Sequence, residues 1–223
     1  KSMTAALGWR QSVRVLLSRP TVRRLLLGMP MVMASAGVAT WIPAFLQRAH
    51  DASAADVATY GGLSLGLGIV GGTLAGGVFV NILRQRNKLW EFWWPALATG
   101  VSVPLMALFY LSDSTGLSYM LLFLGFFAAG SSYAPALACM LVVSEPRLRG
   151  TMVALNVLAT SVLAYGLAPA VIGIGSDLLI ARGFGEADGE SLRYAMLCAL
   201  VMPALGVWFF LRAARTAKED SLN

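Results

Sequence analysis

Six stretches of this chain are apolar for long enough to cross a hydrocarbon core, and the charged residues sit almost wholly in the short segments between them. A shorter amphipathic stretch at 8–20 (α1) precedes them, and they fall at 24–47 (α2), 57–83 (α3), 89–111 (α4), 118–143 (α5), 150–180 (α6) and 193–213 (α7). A bilayer core takes about 20 apolar residues in helical form, and lipid obliges each segment to satisfy its own backbone hydrogen bonds. The chain is therefore predicted to be an all-α membrane protein of six transmembrane helices. Its expected organisation is a lead-in at 1–22, a transmembrane domain at 23–213 and a tail at 214–223. Consecutive spans are joined by short loops, which makes them antiparallel neighbours.

Composition agrees. Hydrophobic residues make up 57% and charged residues 13%, against about 45–50% and about 25% in soluble domains. The net charge of +6 comes from single and paired basic residues between apolar runs, not from one basic face of the kind nucleic acid requires. Cys139 and Cys198 lie inside apolar runs, where a thiol acts as a small hydrophobe. The opening Lys1-Ser2-Met3 has no initiator methionine and no signal-peptide pattern, and reads as the start of a fragment.

Fourteen of the 17 Lys and Arg residues fall before or at the start of α2, in the α3–α4 and α5–α6 loops, or at or after the end of α7; only Arg48, Arg182 and Arg193 fall on the other side. The positive-inside rule then places both termini in the cytoplasm, with the chain in a cell membrane. Trp90, Trp93 and Trp94 follow the basic α3–α4 loop as an interfacial aromatic belt, with Glu91 among them as a headgroup-level charge. In α1, Trp9, Val13, Leu16 and Leu17 recur at helical spacing beside Arg10 and Arg14, the pattern of a helix lying on a membrane surface, and Pro20 closes it.

Two features bear on packing. Gly62 and Gly66, and Gly68, Gly72 and Gly76, form small-residue ridges on α3 at four-residue spacing. Such ridges let helices approach closely in lipid, so α3 is expected to need a close partner helix from outside this chain. Prolines inside α2 (Pro30, Pro43) and α5 (Pro135), the first helices of two three-helix halves, predict bent or broken spans beside a substrate path, as in inverted-repeat transporters.

Motifs for enzyme chemistry are missing. His50 is the single histidine, read as a solvated loop residue, so no metal centre and no cofactor is expected. The string GFFAAGSS at 125–132 resembles an intramembrane serine hydrolase but has no histidine to serve as base. What remains within the spans is a sparse polar set: Ser35 and Thr40 in α2, Ser131, Ser132 and Tyr133 in α5, and Asn156, Thr160, Ser161 and Tyr165 in α6. The Asn156 amide is hard to satisfy within its own helix, and Thr160 lies one turn on, so that face is expected to border water or substrate. Tyr165 falls on the opposite side of a straight helix and stays outside the site. Asp177 near the far end of α6 is an ionisable group attached to a span, which marks function by default; capping or loop anchoring is an equal reading.

These residues resemble a family. LLSRPTVRRLLLG (16–28) is similar to the linker into the seventh helix of major facilitator superfamily transporters. WIPAFLQRAH (41–50) and EPRLRGTMVALNVLATSVLAYGLAPAVIGIGSDLL (145–179) resemble the C-terminal half of the spinster-type lysolipid and sphingosine-phosphate exporters. The family's basic loop before helix eleven corresponds to Arg147 and Arg149, and its glycine–proline pattern to Gly166, Pro169, Gly173, Ser176 and Asp177. The resemblance implies two three-helix inverted repeats forming half of a twelve-helix fold, with α2, α3, α5 and α6 facing a central path and α4 and α7 outside. It implies an amphipathic lipid-like substrate moved by alternating access, with Ser35, Thr40, Trp41, Ser132, Tyr133, Asn156 and Thr160 beside the path and Trp41 packing an acyl chain. Its partners would be an N-terminal six-helix half carrying proton coupling, membrane lipid and the small solute, with no nucleic acid. Gly72, Gly76, Asn81, Arg84, Arg147, Arg149 and Asp177 would serve gating or structure. One departure stands out. Where the superfamily has Gly-x-x-x-Asp-Arg, this chain has Gly77 to Asn81 with Arg84 and Arg86 following, and Asn81 cannot form the acid's charge pair. The competing reading, a self-sufficient six-helix permease module driven by a separate ATPase, would favour a coupling helix, for which the α5–α6 loop has no room.

Overall fold

The computed structural model describes residues 8–185 and 189–220. Every predicted span is helical: Pro20–His50 (α2), Ala54–Arg84 (α3), Trp90–Leu111 (α4), Thr115–Val142 (α5) and Pro146–Ile180 (α6), with α7 built from Glu190–Ala199 and Val201–Asp220. No strand occurs among the described residues. Pro20 opens α2 at its first turn, where the missing N–H has no intrahelical partner to lose. Thr21 and Val22 are buried, so 20–22 belong to the first span and not to the lead-in. The last span also runs past 213 into the expected tail. α1 occupies Trp9–Ser18, but its apolar face divides: Leu16 enters the core while Trp9 and Leu17 stay exposed.

The packing has an approximate two-fold pattern that no residue repeat announces. α5 packs along α3 and α4, α2 packs along α6 and α7, and α4 meets α7. Exchanging α2–α4 with α5–α7 maps each contact onto another. The two first helices are thus the inner pair, as their 61% and 56% buried windows reflect, while α3 and α6 keep most of their surface uncovered at 22% and 17%.

Glycine sets the closest approaches. A Cβ at Gly72 would overlap the Phe127 carbonyl, one at Gly76 the Ser131 carbonyl, and one at Gly68 would lie 2.9 Å from the Phe123 oxygen. The ridge on α3 therefore packs on α5 of this same chain, against the expectation of a partner from outside it. The other ridge is free: Gly62 and Gly66 have nothing within 4 Å.

Prolines break some spans and not others, and the reason is local. α2 tightens to a 3-10 turn at Ala39–Trp41 just ahead of Pro43, and α6 widens to a π turn at Ser161–Leu167 just ahead of Pro169. In each case the proline has no N–H to offer the carbonyl four residues back. Pro135 predicts a bent or broken α5, and the helix it sits in is unbroken from Thr115 to Val142. The carbonyl that Pro135 leaves without a donor is Ser131's, and Trp94 Nε1 of α4 donates to it at 3.0 Å. The favour is returned: Pro95 frees the Glu91 carbonyl of α4, and Cys139 Sγ of α5 donates to that at 2.6 Å. Trp94 therefore turns inward and is no part of an interfacial belt, and Cys139 is more than a hydrophobe. A buried acceptor stripped of its donor costs about 1–3 kcal/mol. Trp94→Phe, which keeps an aromatic ring of smaller size and removes the N–H, is expected to lower stability by at least about that much in a thermal melt of the detergent-solubilised protein, whereas a belt residue would tolerate it.

The apolar core comes in two clusters separated along the spans. One holds Leu16, Leu25, Met29, Phe92, Met140, Met152 and Phe210; the other holds Ile42, Phe45, Phe109, Tyr110, Leu122, Ile172 and Met196. Between them, at one depth in each helix, lie Ser35 in α2, Thr99 and Ser102 in α4, Ser131 and Ser132 in α5, and Asn156 and Thr160 in α6.

Candidate transport site

Of this polar set, Ser35 alone lines the opening between the helices. A cavity of about 270 Å³ opens between α2, α3, α5 and α6. Its walls are Val32, Met33, Ser35 and Ala36 from α2, Ile69 and Thr73 from α3, Phe126, Ala129, Gly130 and Tyr133 from α5, and Tyr165 from α6. Ala36 and Ala129 put small side chains on the cavity walls of the two inner helices, while Gly130 lets the α3 backbone approach, a Cβ there lying 2.8 Å from the Ile69 carbonyl oxygen. Four hydroxyls reach the lining and no charged group does. Thr73 Oγ1 is occupied with the Ile69 carbonyl of its own helix at 2.7 Å and lies 3.3 Å from the Gly130 carbonyl. Ser35 Oγ reaches the Val32 carbonyl only at 3.4 Å, a bond too long to hold it firmly. Tyr133 and Tyr165 are 43% and 55% exposed, so both phenols are free to move.

Of the residues expected beside the path, Ser35 and Tyr133 line this cavity and the others do not. Thr40 bonds back to the Gly37 carbonyl at 2.8 Å. Trp41 is a helix tie instead of an acyl-chain rest: its Nε1 donates to the Pro169 carbonyl at 3.0 Å and its ring covers Gly173. Ser132 is fully buried and bonds the Ala129 carbonyl at 2.6 Å. Asn156 and Thr160 lie on the buried stripe of α6 with Met152 and Ala164, and their side-chain oxygens Oδ1 and Oγ1 have no partner among the described residues. Where that stripe reaches α2, Gly37 sits against the Ala164 carbonyl, so α6 is pressed to α2 and not to an open path. Tyr165, excluded on the geometry of a straight helix, lines the cavity because the π turn carries it out of α-helical phase. Thr73 was hidden among the glycines of α3.

The gating candidates sit at the two ends. At the end rich in basic residues, Arg84 pairs with Glu91 at 3.5 Å, so Glu91 is a buried partner and not a free headgroup-level charge. Glu145 holds both Arg19, at 2.6 Å, and Arg147, at 2.9 Å, and Arg149 Nε donates to the Leu141 carbonyl at 3.2 Å, pinning the α5–α6 turn. Asn81 is exposed. At the opposite end Asp177 is exposed, and Arg193 meets Asp113 at 3.3 Å. His50 closes α2 as a packed residue, not a loop residue: it is half-buried, 3.2 Å from Ser118 Oγ and edge-on to Phe45.

The whole architecture recurs elsewhere. A bacterial homologue of the human lysosomal transporter Spinster, in an inward-facing and unoccupied conformation, superposes on 99% of this chain with a TM-score of 0.84 at 22% identity. The chain has the fold of one half of that homologue. The same homologue in its inward-facing occupied conformation matches 91% of the chain with a TM-score of 0.78 at 21% identity. In sequence, an MFS-type efflux pump of Mycolicibacterium smegmatis is 28% identical over 206 residues, 92% of this chain. No protein-family model matches. The chain spans about half the length of these relatives, 47% of the efflux pump and 53% of the unoccupied homologue. The approximate two-fold packing of α2–α4 against α5–α7 is the inverted repeat of such a half.

Proposed function

We propose that this chain is the C-terminal half of a secondary active transporter that moves an amphipathic, lipid-like solute across a cell membrane by rocker-switch alternating access. It works with a second six-helix half that completes the path and carries proton coupling, it catalyses no covalent chemistry, and both of its ends lie in the cytoplasm. The observation that carries this reading is the cavity: uncharged, rimmed by the hydroxyls of Ser35, Thr73, Tyr133 and Tyr165, and otherwise apolar. Two of its walls, α3 and α6, keep most of their surface uncovered, with Leu67, Leu74, Leu158 and Val162 among their exposed residues. Hydroxyls suit a polar head, and the apolar faces suit a chain.

In proteoliposomes of the complete twelve-helix protein, labelled lysophospholipid is expected to cross at least about tenfold faster than its deacylated headgroup, since each buried methylene is worth about 0.8 kcal/mol. An inward or outward proton gradient is expected to change the rate. Equal rates for the two solutes would remove the lipid-like substrate, and indifference to the gradient would remove proton coupling. A cysteine at Ser114 is expected to react with an impermeant thiol reagent from outside and one at Gln85 only from the cytoplasmic side.

A further inference from the structure

α1 has a face that the fold leaves unused. Arg10, Arg14 and Leu17 stand at i, i+4 and i+7, which puts them on one side of a helix, and all three are exposed. Trp9 beside them is 56% exposed. The opposite side is fixed, because Ser12 and Leu16 are buried, Leu16 in the same cluster as Leu148 and Met152 at the start of α6. Arg19, directly after α1, is held to Glu145. α1 therefore cannot roll over to bury Leu17.

The charges are equally uncompensated. Arginines four apart on a helix repel, and α1 contains no acid. Neither Arg10 nor Arg14 has an ion-pair or hydrogen-bond partner among the described residues. Other arginines of this end are engaged: Arg84 and Arg147 with glutamates, Arg24 and Arg149 with main-chain carbonyls. One residue separates α1 from Pro20, where the first span begins, so α1 stands at the level where hydrocarbon gives way to headgroups.

We infer that this face of α1 is a docking surface for the anionic phospholipid headgroups of the surrounding bilayer, with Trp9 and Leu17 entering the interface and Arg10 and Arg14 meeting phosphates. A soluble polyanion would engage the arginines but leave the indole and the leucine in water; an anionic bilayer surface takes both. The inference rests on the spans being in a membrane, as proposed, but not on what the protein transports, and its test reads no flux.

The test is hydrogen–deuterium exchange of the amides of 9–18 with the protein in nanodiscs of phosphatidylcholine alone or of phosphatidylcholine with phosphatidylglycerol. Two arginine contacts correspond to roughly a 30-fold change in a docking equilibrium. Exchange is therefore expected to slow by about an order of magnitude in the anionic discs, and to return to the neutral-disc rate in high salt and in the Arg10→Gln/Arg14→Gln double variant. The double lysine variant, Arg10→Lys/Arg14→Lys, is expected to keep the slowing, and unchanged exchange in α5 certifies the fold of each variant. Equal exchange in the two discs would overturn the proposal, as would the same slowing in neutral discs on adding heparin, which would make the face a general polyanion surface.

Discussion

Gly72→Leu is expected to cost this half its fold, with stability falling by about 3 kcal/mol or more. Overpacking ordinarily costs about 1–3 kcal/mol because neighbouring side chains can shift. Here the Cβ meets the Phe127 carbonyl of α5, a helix backbone that cannot turn aside, and the same holds for Gly76 and the Ser131 carbonyl. The α3–α5 contact is the most extensive between two helices of the chain, so separating them opens the core beside the cavity. Gly66→Leu is the matched control: nothing lies within 4 Å of it, and replacing a helical glycine recovers up to about 1 kcal/mol of backbone entropy. It is expected to melt at or above the wild-type temperature. Size-exclusion profiles of detergent extracts after graded heating separate the two. If Gly72→Leu stays monodisperse and Gly66→Leu collapses, the α3 ridge that faces α5 is incidental and the outer ridge is the structural one.

That pair of variants marks where sequence was legible and where it stopped. Runs without charge fix six spans because lipid leaves a chain few alternatives, and Lys and Arg placement sorts their ends. The spacing of Gly68, Gly72 and Gly76 announces a close helix contact, but spacing has no address, and the partner proved to be α5. Proline reads ambiguously for a similar reason. Pro43 and Pro169 follow interruptions of their helices, whereas Pro135 sits in a continuous one, where a tryptophan from the preceding helix serves the carbonyl it strands. That donor is 41 positions away in sequence, and no local pattern contains it. The π turn at Ser161–Leu167 departs from the straight helix on which Tyr165 falls opposite Asn156, and Tyr165 lines the cavity. Polar character is no surer a guide: an amide that needs a partner points towards water, yet the Oδ1 of Asn156 is buried without a partner among the described residues.

Ser35→Phe is expected to slow transport by roughly 10- to 100-fold while leaving the protein folded. Ser35 is the cavity residue nearest the middle of α2, in the gap between the two apolar clusters, and its side chain is half-buried. A benzyl group there occupies space the solute would need, and displacing it or the solute costs about 1–3 kcal/mol, roughly a 10- to 100-fold loss of flux. Ser35→Ala removes only a hydroxyl whose one bond is 3.4 Å long, so its flux is expected to stay within a few-fold of wild type. The two substitutions together separate volume from hydrogen bonding. Ser35 also borders a much smaller void of about 10 Å³ between Val38, Met106, Tyr110, Ala199 and Pro203, where α2 faces α4 and α7. A phenyl ring driven into that void would collide with packed side chains, so flux and melting temperature would fall together. Lost flux with an unchanged melting temperature places the ring in the 270 Å³ cavity and the cavity on the path, and normal flux with a normal melting temperature takes the cavity off it.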